Sequence, residues 1–129
     1  MTFLLKLHGG VRWLVVLIAV VAIVKFGLGW IRKSEFKGMD RGLMAAFTGL
    51  LDLNLLLGLV LLFGMGATVP YRMEHAFTMI LALVAAHLSA IWRRSDDSTR
   101  KFRNNLIVIA AASLLIVSGV LRLRGGWLF

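Results

Sequence analysis

Long apolar stretches alternate with short polar segments along the whole chain, a pattern typical of integral membrane proteins. Four of these stretches approach or reach the roughly 20 residues that a helix needs to cross about 30 Å of hydrocarbon. The sequence predicts four transmembrane helices, at about 11–30, 43–66, 73–92 and 105–121. Because the connections are short, neighbouring helices run antiparallel. We expect an all-α, four-helix transmembrane bundle that forms one integral membrane domain, residues 1–129.

The N-terminal helix is expected to remain in the protein. A signal peptide would show a short apolar core followed by a small-residue cleavage site, and no such site follows this run. Residues 1–7 are too short to span and include Lys6, so we expect an interfacial turn there. Lys25 lies within about two turns of the opposite end of the helix, and its long side chain is expected to reach the headgroups.

Composition agrees with the pattern and removes several classes of function. Hydrophobic residues make up 60% of the chain, charged residues 16%, and the mean hydropathy is +0.88, which argues against a soluble globular domain. The chain has no cysteine, which excludes disulfides, thiolate zinc sites and iron–sulfur ligation. We expect no metal cluster and no enzyme acting alone, because hydrolytic and nucleotide-binding motifs are absent from the sequence. The net charge of +9 is expected to set membrane topology rather than to bind nucleic acid.

Positive charges are unequal on the two predicted sides of the membrane. The side with the loops after the first and third helices holds nine, and the other side holds five. The positive-inside rule therefore predicts cytoplasmic loops and both termini on the non-cytoplasmic side. Aromatic residues at the predicted interfaces fit these boundaries: Trp13, Tyr71 and Trp127 on one side, Trp30 and Trp92 on the other.

Small residues recur at helical spacing and predict close helix packing. Ala82, Ala86 and Ala90 follow one another every four residues in the third helix, and Ala45 and Gly49 do so in the second. Such spacing lets helix backbones approach closely in a membrane. The alternative is that alanine is simply common in membrane helices.

Two ionisable residues lie at membrane depth, where such groups usually face a bundle interior. Asp52 falls near the middle of the second helix, and His87 lies at a similar depth on the third, so the two can meet. A pair of this kind is either a structural hydrogen bond, a proton-bearing site or the polar wall of a quinone pocket. Asn54 points about 200° away from Asp52, so it contacts either a partner subunit or another part of the bundle.

His8 and His75 form a second possible site. Both lie near the non-cytoplasmic interface, at matching depth on two different helices. Two such histidines are the minimum for bis-imidazole ligation of a b-type haem held between helices. The alternative is that each imidazole hydrogen-bonds to headgroups or loop carbonyls. His87 lies about 18 Å along the helix axis from His75, so those two cannot share one haem.

An ordered set of short motifs resembles small four-helix bacterial membrane proteins that are sometimes labelled cytochrome b-like. The resemblance spans nearly the whole chain and implies an inner-membrane location, haem or association with redox complexes, and His8 and His75 as ligands. Two positions depart from the family: Ala76 where members tend to have proline, and Asp52 where they often have histidine. The motifs are Leu7-His8-Gly-Gly-Val-Arg12-Trp13, Gly29-Trp30, Phe36, Asp40-Arg41, Leu57-Gly58-Leu59 and Arg72-Met73-Glu74-His75.

These observations favour a small, non-catalytic subunit of a larger bacterial membrane complex that transfers electrons. In that role the chain contributes helix surface and part of a haem or quinone site. One alternative is a free-standing b-type cytochrome with haem on His8 and His75. Another is a homo-oligomeric structural or channel-like protein with Asn54 and the alanines at its interface.

Overall fold

The computed structural model describes residues 2–65, 70–92 and 94–121, and within these ranges the fold is all-helical. The four main helices are α1 (Thr2–Ile31), α2 (Gly38–Met65), α3 (Pro70–His87) and α4 (Ser98–Leu121). A 3-10 segment, Leu88–Trp92, continues α3. All four helices are long and apolar enough to cross a membrane, which confirms the predicted fold class.

All four helices begin earlier than the apolar stretches alone indicate, α3 by three residues and the others by five or more. α1 begins at Thr2, so the expectation of a separate interfacial turn at residues 1–7 was wrong. α2 and α4 likewise begin within the polar segments that precede their apolar runs. Hydropathy marks the part of a helix that fits in hydrocarbon, whereas backbone hydrogen bonding continues into the charged interface. The predicted turn between α2 and α3 and the aromatic side chains of Tyr71 and Trp127 lie outside the described residues.

The helices form a ring in which each contacts its two neighbours, so that α4 closes the ring against α1. The bundle has two ends. At the loop end, the last turns of α1 meet the first turns of α2 and α4; at the histidine end, the first turns of α1 and α3 meet the last turns of α2 and α4. The interior is apolar and runs the length of the ring, with residues that include Val11, Val15, Ala19, Ala22, Phe26, Phe47, Ile109, Ala112 and Ile116.

The small residues divide between the interior and the outside. Ala82 and Ala86 are fully buried, as close packing requires, but Ala90 is exposed. The α-helix ends at His87, and the residues that follow form a tighter 3-10 turn. Because of this change in spacing, Ser89 is buried in place of Ala90. Ala45 and Gly49 lie on the exposed face of α2, so they do not pack within this bundle.

Three phenylalanines fill the loop end. The rings of Phe26, Phe36 and Phe102 lie 5.1 to 6.1 Å apart between centroids, and Phe26 and Phe102 are fully buried. α1 can approach α4 because residue 29 is glycine: a Cβ there would lie 2.5 Å from the Phe102 ring. Helix spacing at this end therefore depends on the missing side chain of Gly29.

Lys25 extends its side chain to the loop end of the bundle, where it has a protein partner. Its Nζ atom lies 2.8 Å from Oδ1 of Asp40, whose side chain is only 1% exposed. The other carboxylate oxygen of Asp40 accepts a hydrogen bond of 2.9 Å from the backbone N–H of Lys37 at the start of α2. Asp40 thus caps α2 and ties it to α1 at the same time.

Two further hydrogen bonds hold α4 at the loop end. The hydroxyl of Ser98 accepts from the backbone N–H of Phe36 at 2.9 Å, and the indole N–H of Trp92 donates to Oδ1 of Asn105 at 2.7 Å. Trp92 is thus half-buried. Trp13 and Trp30 are exposed, as residues of an aromatic belt would be. Side-chain contacts from α1, α2, α4 and the 3-10 segment thus hold the helices together at the loop end, beside an open pocket of about 450 Å³ next to Lys25 and Asp40.

We expect Gly29→Ala to lower the free energy of unfolding by about 1–3 kcal/mol, because the buried Phe102 ring cannot move aside without disturbing its neighbours. Gly27→Ala is the matched control: it lies on the same helix, and a Cβ there would meet no atom within 4 Å. The measurement is unfolding of both variants in the same detergent. Equal stability of the two variants would contradict the close contact.

We expect Asp40→Ala to lower the free energy of unfolding by about 1–3 kcal/mol, because it removes both the cap of α2 and the partner of the Lys25 ammonium. Asp40→Asn should fall between this variant and the wild type, since an amide oxygen can still accept from the Lys37 N–H. Asp96→Asn, at an exposed loop position, serves as the control and should change stability by no more than about 0.5 kcal/mol. Thermal unfolding in detergent measures all three; an Asp40→Ala variant as stable as the control would disprove the structural role of the pair.

Candidate functional site

A cavity of about 380 Å³ lies inside the ring at the histidine end. Its volume falls in the range of about 300–1,000 Å³ that is usual for small-molecule and cofactor sites. The walls are mainly leucine and other apolar side chains from all four helices. The polar side chains that line it are His8, Arg12, Asn54, Arg72 and His75.

His75 enters this cavity from the first turns of α3, with its ring fixed by a hydrogen bond. Nδ1 of His75 lies 2.9 Å from the carbonyl oxygen of Gly119. That carbonyl belongs to the last turn of α4 and has no partner within its own helix, so the imidazole N–H satisfies it. With the proton on Nδ1, the lone pair resides on Nε2, which is the arrangement that prepares a histidine for ligation.

His8 enters the same cavity from α1, on the opposite side of the ring. It lies against α2, where a Cβ at Gly58 would be 3.1 Å from its Cε1 atom. His8 and Asn54 lie beside each other, yet among the described residues neither the buried Nδ1 of His8 nor the buried Oδ1 of Asn54 makes a well-aligned hydrogen bond. Unsatisfied polar atoms in an apolar cavity are unusual and mark a place where a ligand can supply the missing partner.

The structure therefore brings His8 and His75, far apart in sequence, to one cavity. Arg12 and Arg72 line the same space, and the Arg12 guanidinium also lies 5.5 Å from the centroid of the Trp13 ring. From the sequence, these arginines had no expected role beyond the charge count that sets membrane topology and the motifs of the resemblance. Helical spacing could have identified them, because Arg12 lies four residues after His8 and Arg72 three before His75, on the same helix faces.

Asp52 and His87 also meet, but outside the ring. Nε2 of His87 lies 2.8 Å from Oδ1 of Asp52, and the side chains are 50% and 47% exposed. The inner face of α2 is formed by Phe47, Leu51 and Asn54, which places the intervening Asp52 outside. Asp52 thus lies on the outer face of the bundle rather than in its interior, and Asn54 lies within the bundle, the second of the two alternatives for that residue.

In comparisons with known proteins, no family model matches the sequence, and no curated protein or solved structure matches it. The resemblance to cytochrome b-like membrane proteins stays a prediction. The cavity and the outer Asp52–His87 pair are therefore the candidate functional sites among the described residues.

Proposed function

We propose that this chain is an integral membrane electron-transfer protein that holds a b-type haem between His8 and His75. The observation that carries the proposal is that both histidines, on the diagonally opposed helices α1 and α3, line one cavity. Bis-histidine haem sites in helical bundles use ligands on facing helices, with the macrocycle between them.

The residues of the cavity fit this group. His75 has a carbonyl partner on Nδ1 and so offers Nε2 as a ligand, and His8 has a buried ring nitrogen without a partner among the described residues. Gly58 leaves room beside the His8 ring. Arg12 and Arg72 supply the positive charge that the two propionate groups of a haem would attract.

Bound haem would supply one-electron redox chemistry in this cavity. The chain's part is to orient both imidazoles, to surround the site with apolar side chains that keep water away, and to balance carboxylate charge with arginine. The lining includes Leu51, Leu55, Leu59 and Leu62 on α2, which give the site a low-dielectric wall. A low dielectric and little water are two of the means by which proteins set haem potentials.

We place this activity in a larger bacterial inner-membrane complex, of which the chain is a small subunit. The positive charges support an orientation with the loop end in the cytoplasm, since nine of the fourteen residues counted for topology belong to that side. The histidine end, and with it the proposed haem, is then on the non-cytoplasmic side.

The first test is reconstitution of the purified full chain with haemin in detergent, followed by oxidised and reduced absorption spectra. We expect the spectrum of a low-spin, bis-histidine haem, because two imidazoles from opposite helices line the described cavity. His8→Ala and His75→Ala should each abolish the low-spin spectrum. His87→Ala is the matched control, since it removes the third histidine, which lies outside the cavity, and should leave the spectrum unchanged.

Elution of each variant by gel filtration shows whether it remains folded. A folded wild-type chain that takes up no haem would overturn the proposal. Retention of the same spectrum by both cavity variants would show that His8 and His75 are not the ligands.

A second prediction concerns the glycine beside His8. Gly58→Ala should weaken haem binding by about tenfold, because the added methyl group presses on the His8 ring and changes the support of a metal ligand. Gly49→Ala is the control on the same helix: a Cβ there would meet no atom within 4 Å, and the residue faces outward. Haem titrations of both variants compare the two affinities, and equal affinities would disprove the role of Gly58.

A further inference from the structure

Asn54 interrupts the apolar wall that α2 turns towards the cavity. The other residues of this wall include Leu51, Leu55, Leu59 and Leu62. Residue 54 is instead an amide, and its Oδ1 atom is buried without a well-aligned hydrogen bond in the described chain. A buried carbonyl oxygen among apolar side chains costs free energy of folding unless a hydrogen is donated to it. This position therefore calls for a donor inside the cavity.

His8 is the donor that lies nearest to hand. Its ring lies beside Asn54, and its Nδ1 atom is likewise buried without an aligned partner. Gly58, one turn further along α2, makes room for the ring, since a Cβ there would lie 3.1 Å from Cε1. The χ2 torsion of a histidine has a broad minimum, so a small rotation of the ring can bring Nδ1 into line with Oδ1 of Asn54.

The lining residues that the structure describes offer His8 no other side-chain oxygen. Besides the two histidines, the polar side chains of the lining are Arg12, Arg72 and Asn54. A guanidinium group has only donors, and Nδ1 of His75 already bonds to a backbone carbonyl of α4. Asn54 is therefore the side chain of this described lining whose oxygen can accept a hydrogen from His8.

We propose that Asn54 is a positioning residue for His8: its Oδ1 accepts the Nδ1 hydrogen of His8 while Nε2 binds the haem iron. This inference rests on the proposed haem function. It gives both ligands the same kind of support, because Nδ1 of His75 is held by the carbonyl oxygen of Gly119 at 2.9 Å. A histidine whose second ring nitrogen donates in this way has a fixed tautomer and orientation and is a more basic ligand.

The hydrogen bond has a consequence for the reduction potential. A more basic imidazole stabilises the higher charge of ferric iron more than that of ferrous iron, and hydrogen bonding around the ligands is one of the means by which proteins set haem potentials. Asn54 should therefore strengthen ferric haem binding and lower the potential.

The test compares variants of residue 54 in the full chain, reconstituted with haemin in detergent. Asn54→Leu removes the acceptor and continues the leucine wall. We expect this variant to bind ferric haem about tenfold more weakly and ferrous haem less affected. With ferrous affinity unchanged, a tenfold loss corresponds to a potential about 59 mV higher for a one-electron couple. Haem titration and a redox titration followed by absorption give the two quantities.

Two further variants separate the hydrogen bond from the shape of the side chain. Asn54→Asp has the size of the native residue and an oxygen that accepts whether or not the carboxyl group is ionised, so it should keep the affinity and should not raise the potential. Asn54→Ala removes the oxygen without added bulk and takes the place of Asn54→Leu if gel filtration shows that variant to be unfolded. Asn104→Leu is the matched control: it makes the same substitution in the first turns of α4, away from the cavity, and should change neither quantity.

The outcomes distinguish this inference from the haem proposal itself. Wild-type affinity or wild-type potential in the folded variants that lack the acceptor would overturn the role of Asn54 and leave the haem proposal standing. An equal rise in potential for Asn54→Asp and Asn54→Leu would also overturn it. A folded wild-type chain that takes up no haem would overturn both.

Discussion

In hydrocarbon, every polar group needs a hydrogen-bonding partner. This requirement decides where the polar side chains of the protein lie. The four helices satisfy their own backbones, but Lys25, Asp52, His75 and His87 bring further polar atoms to the spanning segments. Lys25 bonds to Asp40, His75 to the last turn of α4, and His87 to Asp52. These partners join helices in pairs, so the polar residues that are least favourable in a membrane also fix how the helices meet.

The two ends of the bundle differ because they meet this need in different ways. At the loop end, rings and hydrogen bonds fill the space between α1, α2 and α4, and Gly29 allows the closest approach. At the histidine end, the same four helices leave a cavity, in which two buried polar atoms lack partners within the described chain. An aromatic cluster that packs the helices at one end and an internal cavity at the other would suit the proposed role of holding a cofactor without loss of helix packing.

The sequence predicted the number and class of the helices because hydrocarbon thickness sets their length, and depth along the helices was enough to pair Asp52 with His87. It did not predict which face each helix turns inward. In a helix of a soluble protein, the polar side marks the outside. α1 has no such polar side, because lipid and the protein interior both favour apolar residues. Helical spacing therefore placed Asn54 and Asp52 on opposite faces of α2 correctly, but it could not determine which of the two faces inward. The Lys25–Asp40 bond depends on a contact between two helices, which no periodicity within one helix records.

α2 turns two chemically different faces to its surroundings. Asn54 and Gly58 face the cavity beside His8, whereas Gly49 and Asp52 face outward. A helix with its side chains is only about 10–12 Å across, so the cavity and the outer Asp52–His87 pair lie on either side of one backbone. At the loop end, the ion pair between Lys25 and Asp40 joins α2 to α1, the helix that carries His8, and so helps to hold the two walls of the cavity together.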